Sequence, residues 1–486
     1  MVKLSYIRKE NLNNLTLIFL IAWVFYHIIT LGVSPLPSFD EVLFTNVSQN
    51  YSISGSLDLS IGILPNEKPE QILTYGPVYF YIHSFLIKIF GLNIIIGRLL
   101  SFLCGVLIFV LYIGYSKKTI HKDHLFFLLI LLLGSDAKFN ANMHSARMDL
   151  LAVMFYVLGV FFIYEKEKFL HSLFAGIFIA LSFLTTPRIF IYFSGLLFLF
   201  IYDIYINKNN FKKYLIAGIV SSCLVFIWIY KVHGSLTDYI NYFKNLGNYG
   251  EQNTSGMEKH LGINGLFFHL SNPSFLLFYL VSILLFVYKL FEKISIFLFI
   301  LISFHVLFIQ EQATYSAMIL PFVYWFIAHG FLKLKNYTSI TYFLKKSLFL
   351  LLFFNITTFS LKSVILFINW EGRNIKFVEN KLLVYDLNNK SILSNYEYFY
   401  FVNQKLGKFT SIEAVNVKLN DTTLKNFQYA ILDLATAPKF ENRFGKHIKE
   451  KVILKNQGYG DSYLSNFISK KFNVYLSYDG CFYVLK

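Results

Sequence analysis

IIIGRLLSFLCGVLIFVLYIGYSKK, residues 94–118, decides what kind of protein this is. No charged residue occurs between Leu99 and Tyr115, while Arg98 stands at one end and Lys117 and Lys118 at the other. A bilayer core about 30 Å thick asks for roughly 20 apolar residues per helix, so the run reads as a membrane span with cations at both rims. Similar runs recur near 15–33, 124–134, 149–164, 169–186, 188–206, 214–232, 273–288, 293–309, 313–331 and 347–369. The predicted fold class is an α-helical polytopic membrane protein with about eleven transmembrane helices. Lys3, Arg8 and Lys9 precede a long first run with no small-residue cleavage site behind it, which predicts a retained signal anchor.

Composition agrees. Of 486 residues, 56% are hydrophobic and 19% aromatic, only 15% are charged, and the mean hydropathy is +0.52. A soluble chain carries about 25% charged residues, so this one lacks the groups that keep a surface wet. Three cysteines exclude a disulfide-dense scaffold. The net charge of +16 raises nucleic acid as a partner, but the basic residues lie in short clusters between apolar runs, and no nucleic-acid partner is predicted.

The clusters instead set orientation. With the N-terminus cytoplasmic, the inside segments carry 17 Lys and Arg in 62 residues and the outside segments carry 7 in 124. That density contrast is the positive-inside pattern. Lys, Asn and Ile richness points to an AT-rich bacterial genome, so the predicted location is a bacterial plasma (inner) membrane, with the first loop and the C-terminal region outside it.

Two stretches interrupt the spans. Residues 34–93 form a long first outer loop, and its segment YGPVYFYIHSFLIKIF, 75–90, has the Tyr and Phe content of a helix lying in the headgroup zone. Counting that segment as a span would put the Lys117, Lys118 and Lys122 cluster outside, so it is read as an interfacial helix. Residues 371–486 hold no spanning run. Their short apolar segments KLLVYDL, YAILDL, NVYLSY and CFYVLK alternate with Asn, Asp and Gly, and Tyr478-Asp479-Gly480-Cys481 has hairpin-turn chemistry. The predicted organisation is a membrane domain over 1–370 and a small soluble α/β domain over 371–486.

Charged residues at a membrane rim are costly and mark function by default. Asp40-Glu41 follows the first span behind Pro35 and Pro37. A carboxylate there can take the proton of an acceptor hydroxyl, or equally cap the helix that VLFTNVSQN would form. Arg98, Arg147 with Asp149, and Arg188 behind Thr185-Thr186-Pro187 all map to the outer rim, against the positive-inside trend. Guanidinium groups at that depth suit a lipid phosphate, which they grip in bidentate fashion; snorkelling, or an Arg147–Asp149 structural pair, explains any one of them singly. His83, His144, His260 and His269 also map outside but show no metal-binding spacing, so no cofactor is assigned and a divalent metal stays open. No phosphate-binding glycine loop, dinucleotide fingerprint or nucleophile elbow occurs.

The order of these features resembles the C-type glycosyltransferases, and within them the protein O-mannosyltransferase and lipid A aminoarabinose transferase superfamily (glycosyltransferase families 39 and 83). The matching stretches are FDEVLF (39–44), TYGPVYFYIHSFLIKIFG (74–91), GRLLSFLCG (97–105), HSARMDLLAV (144–153), LSFLTTPRIFIY (181–192) and TYSAMILPFVYW (314–325). The resemblance implies transfer of a sugar from a polyprenyl-phosphate donor to a hydroxyl of a lipid, glycan or protein acceptor, with membrane lipid as partner. It assigns Asp40 as catalytic base with Glu41 supporting. It also implies donor contacts from Arg98 and Arg188, joined by Arg147, with Tyr75 and Tyr315 lining the donor site. The chain departs from the aminoarabinose transferases, which open the interfacial helix with Glu-Lys-Pro-Pro and bind metal through the Glu. Thr74-Tyr75-Gly76-Pro77 stands there, and Glu67-Lys68-Pro69 lies upstream of the aromatic helix. Readings outside this one are a lipid or glycan transporter or flippase, which would show inverted repeats and broken helices, and a glycan ligase or polymerase, which shares the lipid-phosphate chemistry.

Overall fold

The computed structural model describes residues 9–486 apart from 65–66, 73–74, 120–122, 166–168, 207–210, 242–271, 310–312, 335, 369, 406, 416–417 and 455–477. Its helices, in chain order, are α1 (Lys9–Thr30), α2 (Phe39–Ser54), α3 (Val78–Phe90), α4 (Ile94–Thr119), α5 (Asp123–Ser135), α6 (Ala137–Met143), α7 (Asp149–Glu165) and α8 (Phe169–Phe183). They continue with α9 (Phe193–Ile206), α10 (Phe211–His233), α11 (Pro273–Val287), α12 (Lys293–Phe308), α13 (Ala313–Leu334) and α14 (Thr338–Ile368).

Among the described residues, five stretches are helical, long and apolar enough to cross a membrane: Ile94–Leu111, Pro187–Ile206, Phe211–His233, Tyr315–Leu334 and Tyr342–Ile368. The other apolar helices are shorter. Burial sorts the long ones. The Tyr315–Leu334 stretch of α13 is 89% buried and forms the centre of the bundle, while those of α10 and α14 are each 17% buried. An apolar helix that buries so little of itself in protein is stable only where lipid covers the rest. The chain is read as an integral membrane protein on that ground.

The first loop is more ordered than its composition suggests. Ser38 takes the N-cap position of α2, so Asp40 and Glu41 fall in the first turn and neither is the cap. Carboxylates there still face the positive end of the helix dipole. The aromatic helix expected at 75–90 is α3. It buries Tyr79, Phe80, His83, Ser84 and Ile87 and exposes Tyr81, Phe85, Ile89 and Phe90. Apolar residues on both sides of a helix whose inner face is already packed fit a boundary with lipid.

Gly76 makes the entry to α3. A Cβ built on it would lie 1.9 Å from the carbonyl oxygen of Leu184, an approach that only glycine permits. The Val78 amide donates to the same carbonyl at 3.2 Å, which ties the start of α3 to the end of α8.

Within the first loop β1 (Asp58–Leu59) pairs antiparallel with β2 (Glu70–Gln71). Beyond α14 lies a five-stranded sheet of order β4-β3-β5-β7-β6, with β3 (Ser391–Ser394), β4 (Lys408–Ser411), β5 (Tyr429–Asp433), β6 (Ile448–Leu454) and β7 (Gly480–Leu485). β3 runs parallel to β4 and β5, while β7 runs antiparallel to β5 and β6. Successive residues face opposite sides, as a pleat requires. Ile392, Ile431 and Phe482 join Leu36, Val42, Ile61 and Ile94 of the membrane half. Leu393, Ala430, Leu432, Cys481 and Tyr483 pack on the other side with Phe440 and Phe444. The sheet is thereby seated on the first loop.

YAILDL and CFYVLK are strands as expected. KLLVYDL is not: a short helix, Lys376–Lys381, runs into turns that leave Leu383 and Val384 exposed. Most of NVYLSY, and with it the expected hairpin partner of β7, lies outside the described residues.

Candidate active site

Asp40 and Glu41 are neighbours on α2, and one helical step turns them about 100° apart. They consequently meet different arginines. Glu41 points inward, fully buried, onto Arg98 of α4, which is also fully buried. Arg98 Nε donates to Glu41 Oε1 at 2.7 Å and Nη2 donates to Oε2 at 3.1 Å. Its remaining donors serve the carbonyls of Leu31 (Nη1, 2.9 Å) and Pro35 (Nη2, 2.7 Å). The Tyr400 hydroxyl, from the segment behind β3, donates to Glu41 Oε1 at 3.1 Å and lies 3.1 Å from Thr45 Oγ1. Gly97 admits that ring, since a Cβ on it would come within 2.3 Å of the Tyr400 oxygen. This cluster is closed and charge-balanced.

Asp40 is 37% exposed and pairs with Arg147 Nη1. Arg147, 2% exposed, also donates from Nε to Asp149 Oδ2 at 2.8 Å. Its backbone is clamped by α4: Ser101 Oγ donates to the Arg147 carbonyl at 2.8 Å and accepts from its amide at 3.2 Å. Asp149 opens α7, and its Oδ1 is buried without a partner.

Arg188 comes from the turn between α8 and α9. The expected sixth span does not begin as an α-helix there: Pro187–Tyr192 is a 3₁₀ turn, opened by the proline at its first position. The guanidinium carbon lies 4.4 Å from the ring centre of Tyr315 and 5.5 Å from that of Tyr75. Nη2 donates to the Tyr75 hydroxyl at 3.2 Å, and Nη1 is buried without a partner. Arg147 reaches the other parts of the same aromatic wall, 5.6 Å from Tyr315 and 5.9 Å from Phe44. Among the described residues, Arg188 makes no ion pair with a carboxylate. Two cation–π contacts are worth about 0.5–2 kcal/mol each, whereas a buried charge without a counter-charge costs several. Tyr75 and Tyr315 therefore do not neutralise Arg188, and the carboxylate that acts on it electrostatically, Asp149, is already paired with Arg147.

The structure thus brings Asp40, Arg147, Arg188, Tyr75 and Tyr315 together and sets Glu41 with Arg98 apart as a buried neighbour. His83 is buried beside Ser48 (3.0 Å), and His144 sits against His27. His260 and His269 lie outside the described residues. No three His, Cys, Asp or Glu side chains come together to hold a metal ion among the described residues. Tyr400 was not anticipated. It is 359 positions from Glu41, and nothing in NYEYFYF distinguishes it from the tyrosines around it.

Residues 69–230 match the family described as dolichyl-phosphate-mannose-protein mannosyltransferase. Tyr75, Arg98, Arg147 and Arg188 fall inside that match; Asp40 and Tyr315 fall outside it. No curated protein matches the sequence. Among solved structures, the fold is similar to that of ArnT from Cupriavidus metallidurans bound to undecaprenyl phosphate, at a TM-score of 0.59 and 10% identity, covering 96% of this chain and 97% of that one. The apo state of the same protein gives a TM-score of 0.59 and 10% identity, covering 97% and 98%. An oligosaccharyltransferase of Archaeoglobus fulgidus, in complex with zinc and sulfate, gives 0.48 and 12% identity over 88% and 70%. The resemblance read from the order of the motifs holds: this chain carries the fold of the C-type glycosyltransferases, with the mannosyltransferase family pattern over residues 69–230.

Proposed function

We propose that the protein is a membrane glycosyltransferase that moves a sugar from a polyprenyl-phosphate donor to a hydroxyl of a lipid, glycan or protein acceptor, at the outer face of a bacterial inner membrane. The observation that carries this reading is Arg188: a cation flanked by Tyr75 and Tyr315 that makes no ion pair with a carboxylate among the described residues, close to the partly exposed Asp40 and its Arg147. The binding of undecaprenyl phosphate by ArnT, whose fold this chain shares, supports a polyprenyl phosphate as the anion.

In this reading the reaction is one inverting displacement. Asp40 accepts the proton of the acceptor hydroxyl while its oxygen bonds to the anomeric carbon. The bond from that carbon to the phosphate oxygen breaks, and the electron pair leaves on the phosphate, where Arg188 and Arg147 meet the developing charge. A donor phosphate drawing on Arg147 competes with Asp40 for it and frees the carboxylate to act as base. Asp149 keeps Arg147 aimed. Glu41, Arg98 and Tyr400 are positioning residues that fix the first turn of α2.

The test is glycan and lipid mass spectrometry of cells with and without the protein. A hexose- or pentose-sized mass missing from one glycan, lipid or protein class is expected. Unchanged profiles, with a shifted distribution of a lipid or glycan between the two membrane faces, would replace the reading with transport.

A further inference from the structure

A groove of about 770 Å³ runs along the outward face of α10 where α9 meets it. Phe200, Phe211 and Tyr214 form one end, and Gly218, Ser222 and Cys223 continue it. A Cβ built on Gly218 meets nothing within 4 Å, so the groove is open at its middle. From Tyr214 to Cys223 the helix axis rises about 14 Å, the depth of one leaflet. The Tyr214 end is charged. Its hydroxyl donates to Asp203 Oδ2 at 2.7 Å. Lys213 lies 3.2 Å from the same oxygen, and Lys293, which opens α12, pairs with Oδ1. Each ammonium also stands beside a ring, Lys213 at 5.1 Å from Tyr214 and Lys293 at 5.7 Å from Tyr202. The two lysines are only 12% and 24% exposed. Lys212, exposed on α10, and Lys289, in the turn before α12, bring further positive charge to the rim.

A single lysine at a membrane rim snorkels to water. Here two lysines turn back onto one carboxylate at the head of an apolar groove one leaflet deep, and the cluster they form is cationic. We propose that the groove binds one anionic phospholipid of the leaflet opposite the candidate active site, with its phosphate on Lys213 and Lys293 and an acyl chain lying along Gly218 to Cys223. A basic pocket between helices at the membrane surface is the general form of such a site. The leaflet follows from the chain: α9 starts directly after the turn that carries Arg188, and Asp203 lies about 15 Å further along its axis. Zwitterionic lipid offers the same chains but no net charge to the lysines, so charge selects the occupant. The lipid completes the packing of α10, whose apolar stretch is 17% buried. The inner side of that helix is already fitted to α8, where a Cβ on Gly176 would come within 2.6 Å of the Ala217 carbonyl oxygen. This site is separate from any donor or acceptor of sugar transfer and does not rest on the functional reading.

The groove carries its own reporter position, because Cys223 is exposed while Cys104 and Cys481 are buried. The test uses the full-length protein with bimane on Cys223 in phosphatidylcholine nanodiscs, doped with chain-brominated phosphatidylglycerol or, in parallel, chain-brominated phosphatidylcholine. Brominated phosphatidylglycerol should quench as though enriched about fivefold over its share of the bilayer. Brominated phosphatidylcholine should quench in proportion to its share. Replacing both lysines, Lys213→Gln with Lys293→Gln, should bring the anionic lipid down to the zwitterionic level, and Arg at both positions should keep the preference. Gly218→Phe fills the groove and leaves the ion cluster in place, so it decides the matter if the Gln pair fails to fold. It should remove the excess quenching with the melting temperature close to wild type. Equal quenching by the two lipids would overturn the site. An excess that survives either variant in folded form would do the same, since it would then reflect attraction to the surface at large.

Discussion

Two arginine–carboxylate clusters grow from adjacent residues of one helix, and their difference is instructive. Glu41–Arg98 is sealed: both side chains are 0% exposed, the pairing is bidentate, and the other donors are taken by carbonyls. Asp40–Arg147–Asp149 is open at one end, with Asp40 37% exposed and Arg188 nearby, which makes no ion pair with a carboxylate among the described residues. A sealed pair has nothing to offer a substrate. An open one, in the reading proposed above, supplies a base and an anion receptor. The same chemistry thus separates into a strut and a site through one 100° step along α2.

The contrast breaks first at the strut. Arg98→Leu should cost about 3–5 kcal/mol, because Glu41 is left buried and unpaired. The melting temperature in detergent should drop steeply, and a drop of only a degree or two would mean the pair is not sealed. Arg188→Gln should do the opposite. Its melting temperature should stay close to wild type while transfer falls about 10²–10³-fold, the scale for losing one cation aimed at developing charge. A variant that melts early but transfers normally would exchange the two roles.

A smaller effect tests the sheet above the site. Glu397 is held by burial well above its ordinary 4.5, at about 7, and its Oε2 has no partner. Its folded carboxyl keeps the proton up to about pH 7, while the unfolded one releases it near 4.5. Its contribution to stability is therefore greatest below the lower value, falls as pH rises between the two, and is flat above. The fall is at most about 3–4 kcal/mol. Melting temperatures at pH 5 and pH 8 should converge in Glu397→Gln; an unchanged pH dependence would show that Glu397 is not the group responsible. The smallest expected effect is Tyr400→Phe, which removes one hydrogen bond to Glu41 and should cost about 1–2 kcal/mol. A larger loss would make Tyr400 part of the strut rather than its support.

Much of this was legible in the chain because charge is conspicuous in an apolar background. Arg98, Arg147 and Arg188 stand out at rims where only function or pairing keeps a cation, and FDEVLF marks α2. What the residues could not tell apart is which carboxylate faces inward. Asp40 and Glu41 differ by one methylene, and the choice is made by where α4 places Arg98. Tyr400 was invisible for a related reason, since the sheet that delivers it is joined to Glu41 only in space. KLLVYDL read as a strand because it is apolar, yet among the described residues no strand pairs with it, and Leu383 and Val384 end in the open while Leu382 and Leu387 are buried. The 3₁₀ turn at Pro187–Tyr192 was hidden inside a run whose hydropathy suits a full span.

The most direct measurement compares Asp40→Asn with Glu41→Gln in cells lacking the wild-type gene, reading the modified glycan or lipid by mass spectrometry and the melting temperature of each purified protein. The account predicts that Asp40→Asn melts like wild type and transfers about 10²–10⁴-fold less, while Glu41→Gln melts early. Wild-type transfer by a folded Asp40→Asn protein would contradict it.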